Sequence, residues 1–525
     1  MNRDEMLARL RETERWDVLV IGGGATGLGV AVDAAARGYR TLLVEQGDFA
    51  QGTSSRSTKL VHGGVRYLEQ GDLSLVLEAL RERGRLQRNA PHLVRRQPFV
   101  VPGYRWWEKP YYGIGLTLYD LLAAGGGHGF GGSRLLSRRA TREHLPTAKP
   151  DGLRGGVLYF DGQFDDARLA VNLAQTADEL GATVLNKLKI TDLTKTGDAI
   201  DGATARDTEN DREHAISARV VVNATGVFAD RVRRMDDPNA APLLRPSQGA
   251  HVVLDRSFLP GNSALMVPRT DDGRVLFAIP WLDRVVVGTT DTPVDGLPAE
   301  PRPTQEELCF LLDHAGRYLT RSPEPEDVLS AFAGLRPLVA DESGDTSDIS
   351  RDHTLRVSRA GLVTITGGKW TTYRRMAEDA VDRAATVGDL AEGASPTKAL
   401  RLHGWHDHAD SFGPLSRYGA DAPALRRLMR ERPALAEPLH PDLPARKVEV
   451  VWAARREMAR TVEDVLARRT RGLFMDARAA LEAAPATARL LADELGRNES
   501  WIGKQVRDFE TLAQTYVPNT VTIST

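Results

Sequence analysis

The segment that most constrains this chain lies near its start, where an apolar run at 16–21 leads directly into Gly22-Gly23-Gly24-Ala25-Thr26-Gly27. A small-residue stretch to residue 37 follows, then a second apolar run at 40–44 that ends in Glu45. Strand, glycines, helix, strand and acid in this order make a βαβ unit for a dinucleotide. Gly22 allows the tight turn, Gly24 lets the main chain approach a pyrophosphate, and Gly27 permits close packing of helix on strand. The helix start offers N–H groups to the anion. Glu45 stands 23 residues beyond Gly22, the spacing of a ribose-binding carboxylate. The glycines alone do not choose between NAD and FAD.

Two later apolar runs stop at glycine turns and read as returns to the same sheet. One is 219–222 before Asn223-Ala224-Thr225-Gly226, and the other is 362–366 before Gly367-Gly368-Lys369. The expected architecture is therefore α/β, with a discontinuous Rossmann-like dinucleotide-binding domain at 1–90, 155–230 and 330–387. Runs at 274–279 and 284–287 alternate with turn residues and predict a mostly antiparallel second sheet, so 91–154 and 231–329 form a substrate or cap domain. From 388 the sequence becomes Ala- and Arg-rich and predicts a helical domain to 525. Within it Met458, Val462, Val465 and Leu466 fall on one helical face.

Of the 525 residues 41% are apolar and 27% charged, with a formal net charge of −2, which disfavours wholesale nucleic-acid binding. The lone cysteine, Cys309, excludes intrachain disulfides and cysteine-ligated clusters, so redox chemistry needs an organic cofactor. Cys309 sits in a helical pattern and reads as a buried thiol. His403, His406 and His408 read as a solvated loop, and the glycine run 125–132 as a mobile surface loop without a P-loop ending. Without a secretory signal or an 18-residue apolar window, the expected location is cytoplasmic, with peripheral contact on the inner face of the cell membrane left open.

Thr53-Ser54-Ser55-Arg56-Ser57-Thr58-Lys59-Leu60-Val61-His62-Gly63-Gly64-Val65-Arg66-Tyr67-Leu68 resembles the flavin-contact segment of the FAD-dependent glycerol-3-phosphate dehydrogenases. Gly334-Leu335-Arg336-Pro337-Leu338, Ser350-Arg351-Asp352-His353-Thr354-Leu355 and Gly367-Gly368-Lys369-Trp370-Thr371-Thr372-Tyr373-Arg374 are similar to three further signatures of that family. Gly288-Thr289-Thr290-Asp291 and the tail segment 461–470 extend the likeness over most of the chain. The resemblance implies that the discontinuous domain is an FAD-binding Rossmann-like domain of the glutathione-reductase type, with FAD contacts from Thr53, Ser54, Ser55, Thr58, Asn223, Gly226, Gly367, Gly368, Lys369 and Thr371, beside Gly22, Gly24, Gly27 and Glu45. It also implies oxidation of glycerol 3-phosphate to dihydroxyacetone phosphate, with membrane quinone as acceptor. Molecular oxygen is the alternative acceptor, and a non-catalytic flavin-binding membrane scaffold the alternative class.

A phosphate of nearly two negative charges needs cations, and the planar arginine fork suits it best. By the resemblance Arg66 and Arg351 grip the phosphate with Tyr67 beside them, while Arg336 and Lys369 lie nearer the reacting carbon. His353 stands where related enzymes commonly show tyrosine. The hydroxyl proton needs an acceptor. His62 is the first candidate, since imidazole titrates near neutral pH. Arg336 stabilising the forming alkoxide is the other reading. A helix start after Gly367-Gly368-Lys369 would stabilise negative charge on reduced flavin.

Residues 81–150 hold thirteen Lys or Arg against four Asp or Glu. Trp106, Trp107, Tyr111 and Tyr112 precede the apolar stretch 114–124 in the same region. This suits an anionic membrane surface, and a basic funnel for phosphate explains the charge as well. A homodimer is left open.

Overall fold

The computed structural model describes residues 1–64, 73–125, 130–339 and 353–518. Its first sheet has eight described strands. Six lie in the spatial order His353–Val357, Val363–Gly367, Glu213–Asn223, Trp16–Ile21, Thr41–Val44, Thr183–Leu185. All neighbours run parallel except the first pair. The other two, Leu188–Thr196 and Ala199–Asp207, form a hairpin paired with the first half of Glu213–Asn223. Both runs that were expected to return to this sheet do so. One Rossmann-like layer is thus assembled from three distant stretches of chain.

Parallel strands covered on both faces are apolar throughout, and Val18, Leu19, Val20, Leu42 and Leu43 are fully buried. The Ala25–Ala36 helix is built from small residues because its neighbour comes very close: a Cβ on Gly29 would lie 2.9 Å from the Tyr373 ring of the Tyr373–Val387 helix.

The second sheet has ten described strands, antiparallel except where Ala264–Val267 runs parallel to Val94–Gly103. Near one edge of it Ser247–Asp255 lies between Arg284–Gly288 and Val328–Arg336. The Gly155–Phe164 strand pairs along its whole length with Val94–Gly103. The 155–164 and 330–336 segments, expected in the nucleotide domain, therefore run in this sheet. An apolar run looks alike in either sheet, and only its distant partner decides.

Helices Lys447–Arg456, Ala477–Leu495 and Glu499–Ala513 form the tail. Their core is shared with Val253, Trp281, Val286 and Phe332, so the helical region is seated on the second sheet. Met458, Val462, Val465 and Leu466 are all buried, but not on one helix. Met458 has φ 56°, and a wide π-turn spans Asp464–Arg469. The break follows from Asp464, whose Oδ2 accepts from the main-chain N–H of Arg460 and Thr461 and so starts a new helix there.

Two expectations fail in detail. Cys309 is exposed on the Gln305–Tyr318 helix, because Leu311, Leu312 and Ala315 form its buried face. His403 is not simply solvated, since its ring lies between Glu179 (2.5 Å) and Asp421 (2.8 Å). Burial opposes its charge, yet these two carboxylates raise its pKa to about 9. Among the described residues no group of three metal-ligating side chains occurs, and no helix is long and apolar enough to cross a membrane. Residues 126–129 of the glycine run lie outside the described residues.

Candidate active site

A cavity of about 1320 Å³ is lined by elements of both sheets. One end is the first βα turn. Gly22 has φ +111°, and a Cβ there would stand 2.6 Å from the Ala224 carbonyl oxygen. Gly27 does not line the cavity; a Cβ on it would sit 1.9 Å from the Gly22 oxygen, which is the helix-on-strand packing its spacing predicts. Gly24 lines the cavity as N-cap of Ala25–Ala36, whose first-turn N–H groups have no intrahelical acceptors. Glu45 also lines it, its two oxygens accepting from the N–H of Gly23 (2.7 Å) and Gly47 (2.8 Å). Burial raises its pKa. Each carboxylate oxygen retains a second lone pair for a sugar hydroxyl.

Three segments knit the middle wall. The indole N–H of Trp370 donates to the Ser54 carbonyl at 2.9 Å, and the Thr53 hydroxyl to the Leu335 carbonyl at 2.5 Å. The Thr371 hydroxyl oxygen accepts from the His62 main-chain N–H at 3.3 Å. Thr53, Ser54, Thr58, Gly226, Gly367, Gly368, Lys369 and Thr371 line the cavity. Gly367 (φ +82°) and Gly368 (φ +67°) are left-handed, and a Cβ on Gly368 would come within 2.4 Å of the Met376 sulfur. An anion cradle with a ribose acceptor at one end and a glycine main chain at the other, in one continuous space, fits FAD.

Two expected cofactor contacts belong to the frame behind this wall. Ser55 is buried, and its carbonyl accepts from Lys59 Nζ and from Arg471. Asn223 is fully buried, its amide donating to the Ala229 carbonyl and its oxygen accepting from Thr225. Neither lines the cavity: the Ser55 main chain and the Asn223 side chain tie neighbouring segments together.

The remaining wall carries further charged and imidazole side chains. Arg336 lies at the end of Val328–Arg336 and is oriented by Asp291 (2.9 Å), the Thr290 carbonyl (2.9 Å) and the Thr289 hydroxyl (3.2 Å). Lys369 and His62 line the same space. So does His251, which sequence reasoning missed. Its ring stacks on Phe332 with centroids 4.8 Å apart, and its Nε2 lies 3.0 Å from the Thr58 hydroxyl. Burial, with Lys59 and Arg336 adding to it, pushes its pKa well below the ordinary value. The available signal was a single histidine inside the otherwise apolar 249–254 run. Beyond it Leu60, Phe99, Tyr159, Met266 and Phe277 form an apolar arm, with Arg274 among the lining residues.

Arg66, Tyr67 and Arg351 lie outside the described residues. His353 does not line the cavity; its Nε2 lies 2.9 Å from Asp379 on the Tyr373–Val387 helix.

Residues 17–374 match the family of FAD dependent oxidoreductases, and residues 363–501 match the C-terminal domain of alpha-glycerophosphate oxidase. The chain is 40% identical over 534 residues to the mitochondrial glycerol-3-phosphate dehydrogenase of Mus musculus, an overlap covering 95% of this chain and 73% of that one. With the Homo sapiens protein of the same name it is 40% identical over 530 residues, covering 94% and 72%. Its structure is similar to that of the glycerol-3-phosphate dehydrogenase from Bacillus halodurans complexed with FAD, with TM-score 0.78, 30% identity and 99% of both chains covered. Whole-length similarity and a cavity shaped for the same cofactor lead to one conclusion: the chain belongs to the family of FAD-dependent glycerol-3-phosphate dehydrogenases.

Proposed function

We propose that this chain oxidises sn-glycerol 3-phosphate to dihydroxyacetone phosphate at the Arg336 end of the cavity and passes the electrons to a membrane quinone. The observation that carries this reading is that Arg336, Lys369, His62 and His251 line the same space as the dinucleotide cradle. FAD, when bound, supplies the acceptor for the hydride that leaves C2 of the substrate. Arg336 is held by Asp291 and the 289–290 main chain and side chain, so its charge is oriented before substrate arrives. Such a preset charge stabilises the substrate oxygen as its proton departs. Lys369 adds a second positive charge to the same wall.

The departing proton requires an acceptor within this wall, and His62 remains the first candidate. His251 is neutral near pH 7, so its ring accepts or donates one hydrogen bond through each nitrogen, and the Thr58 contact fixes its orientation. Arg66, Tyr67 and Arg351 are assigned to the phosphate on the resemblance alone.

Peripheral membrane contact is part of the same proposal. On the Glu108–Gly125 helix, Tyr111, Ile114, Leu118 and Leu121 are exposed, Ile114 at 74% and Leu121 at 69%, and Trp106 beside them is 77% exposed. The opposite side carries Tyr112 and Leu116, which pack on the cluster containing Leu60, Phe99, Tyr159 and Met266. An apolar helix face beside basic residues suits a lipid surface, and its inner side adjoins the apolar arm of the cavity. This supports quinone access from the membrane, on the inner face of a cell membrane.

Because the tail matches an oxidase C-terminal domain, the acceptor is tested directly. Purified holoenzyme is assayed for dihydroxyacetone phosphate formation with a soluble quinone analogue, and for peroxide in air. Fast turnover with the quinone analogue and little peroxide is expected. Peroxide released in step with product, without any gain from quinone, overturns the dehydrogenase reading in favour of an oxidase.

A further inference from the structure

The 45–59 loop joins Thr41–Val44 to Leu60–Val61 and lines the cofactor cavity along most of its length. It contains one 3-10 turn, Thr53–Ser55, and two non-glycine residues in left-handed conformation, Ala50 (φ 60°) and Lys59 (φ 63°). Such a loop does not hold its shape by secondary structure alone.

Its fastenings come from more than 400 residues away, in the tail. Arg468 Nε donates to Asp48 at 2.5 Å, and Arg469 reaches both oxygens of Asp48 at 2.6 and 2.8 Å. Gln51 donates to Glu463 at 3.1 Å. Arg471 donates to the Ser55 carbonyl at 2.8 Å and to Asp166 at 3.1 Å. Asp166 in turn accepts from Lys59 Nζ (2.7 Å) and from the Ser57 hydroxyl (2.7 Å). Near the chain end, the Tyr516 hydroxyl and Arg56 share Glu300, at 2.5 and 2.6 Å.

The contacts to Asp48, Gln51 and Ser55 gather at one irregular feature. The π-turn Asp464–Arg469 is followed by Arg471 in left-handed conformation (φ 68°), and Asp48, Arg469 and Arg471 are completely buried. π-Turns and strained non-glycine residues concentrate where a side chain must be aimed. A buried ion pair is a poor source of stability compared with apolar packing, so this many at one loop points to geometry.

We propose that the C-terminal helical domain is a working part of the FAD site: Arg468, Arg469 and Arg471 hold the 45–59 loop in the shape that grips the dinucleotide and places Thr58 against His251. They are positioning residues, acting through the loop. The proposal rests on the assignment of the cavity to FAD, and failure of the unaltered protein to bind FAD would strike that assignment instead.

The test uses full-length protein, stripped of flavin and titrated with FAD, alongside thermal melts and steady-state kinetics at saturating FAD. Arg469→Met and Arg471→Met are expected to weaken FAD binding about tenfold or more, the equivalent of one lost charge-assisted hydrogen bond. The substrate KM at saturating FAD should stay within about twofold, and Arg471→Lys should recover part of the affinity. The control is Arg417→Met, which breaks the buried Arg417–Glu449 pair inside the tail. It should lower the melting temperature but leave FAD affinity within about twofold. If the arginine variants do not fold, Glu300→Gln at the partly exposed Arg56–Tyr516 link serves, with a rise in FAD Kd of about threefold expected. Unchanged FAD affinity in whichever of these variants fold, or loosening by Arg417→Met equal to that of Arg469→Met, overturns the proposal.

Discussion

The two ends of the cavity are built on different principles. The dinucleotide end is made of backbone: Gly22 and Gly24 in one turn, a helix start packed close behind it at Gly27, and a carboxylate that itself accepts from main-chain N–H groups. The end proposed to react is lined by side chains, two of them, His251 and Arg336, carried on neighbouring antiparallel strands where His251 faces Phe332 and Ser247 faces Arg336. A backbone site tolerates no added atoms, whereas a side-chain site keeps its shape while individual charges are exchanged. Substitutions at the two ends should therefore fail in different ways.

The largest effect is expected at the backbone end. Gly27→Val places atoms on the Gly22 carbonyl, so the purified variant should carry almost no flavin, read from its visible absorption. Arg336→Met should retain FAD but lose about 10²–10³-fold in kcat/KM for glycerol 3-phosphate, the usual cost of removing one preset transition-state charge. Flavin loss in that variant would erase the distinction between the two ends. His251→Gln should keep FAD and lower kcat by about tenfold to a hundredfold, with KM moving less than kcat. A drop in flavin content alone would return His251 to the frame.

Smaller effects are expected away from both ends. Ile114→Asp with Leu121→Asp should reduce co-sedimentation with anionic vesicles by about tenfold, leaving soluble quinone-analogue activity intact. Vesicle binding equal to that of the parent would remove the membrane proposal only. The smallest is at His403. Its pKa of about 9 in the folded chain exceeds the ordinary 6.5. Its contribution to stability is therefore full below pH 6.5 and is lost as the pH rises through about 9. The parent should melt about 1–2 °C above His403→Gln at pH 6, and the gap should close by pH 10.

The same contrast explains what the sequence discloses. The backbone end is legible because its requirements are local: a Cβ excluded at Gly22 and an acid 23 residues on are both written within one βαβ unit. At the end proposed to react, motifs single out Arg336, Lys369 and His62, all of which line the cavity. His251 escapes because its role depends on the antiparallel register with 328–336, which no local pattern encodes. Ser55 and Asn223 lie in motifs that touch the cavity without lining it themselves: the Ser55 carbonyl and the Asn223 amide are bonded to neighbouring segments. The strands 155–164 and 328–336 show the same limit at the level of domains, since their apolar runs suit either sheet. Met458 shows it within one turn, where a capping Asp464 interrupts a helical spacing that otherwise continues.

The central claim, that a backbone-held FAD and a side-chain site for a phosphorylated alcohol share one cavity, is tested most directly by anaerobic titration of the yellow holoenzyme. Glycerol 3-phosphate should bleach the oxidised flavin absorption with one equivalent per flavin, while unphosphorylated glycerol at the same concentration leaves it unchanged. Equal bleaching by both, or by neither, would contradict the account.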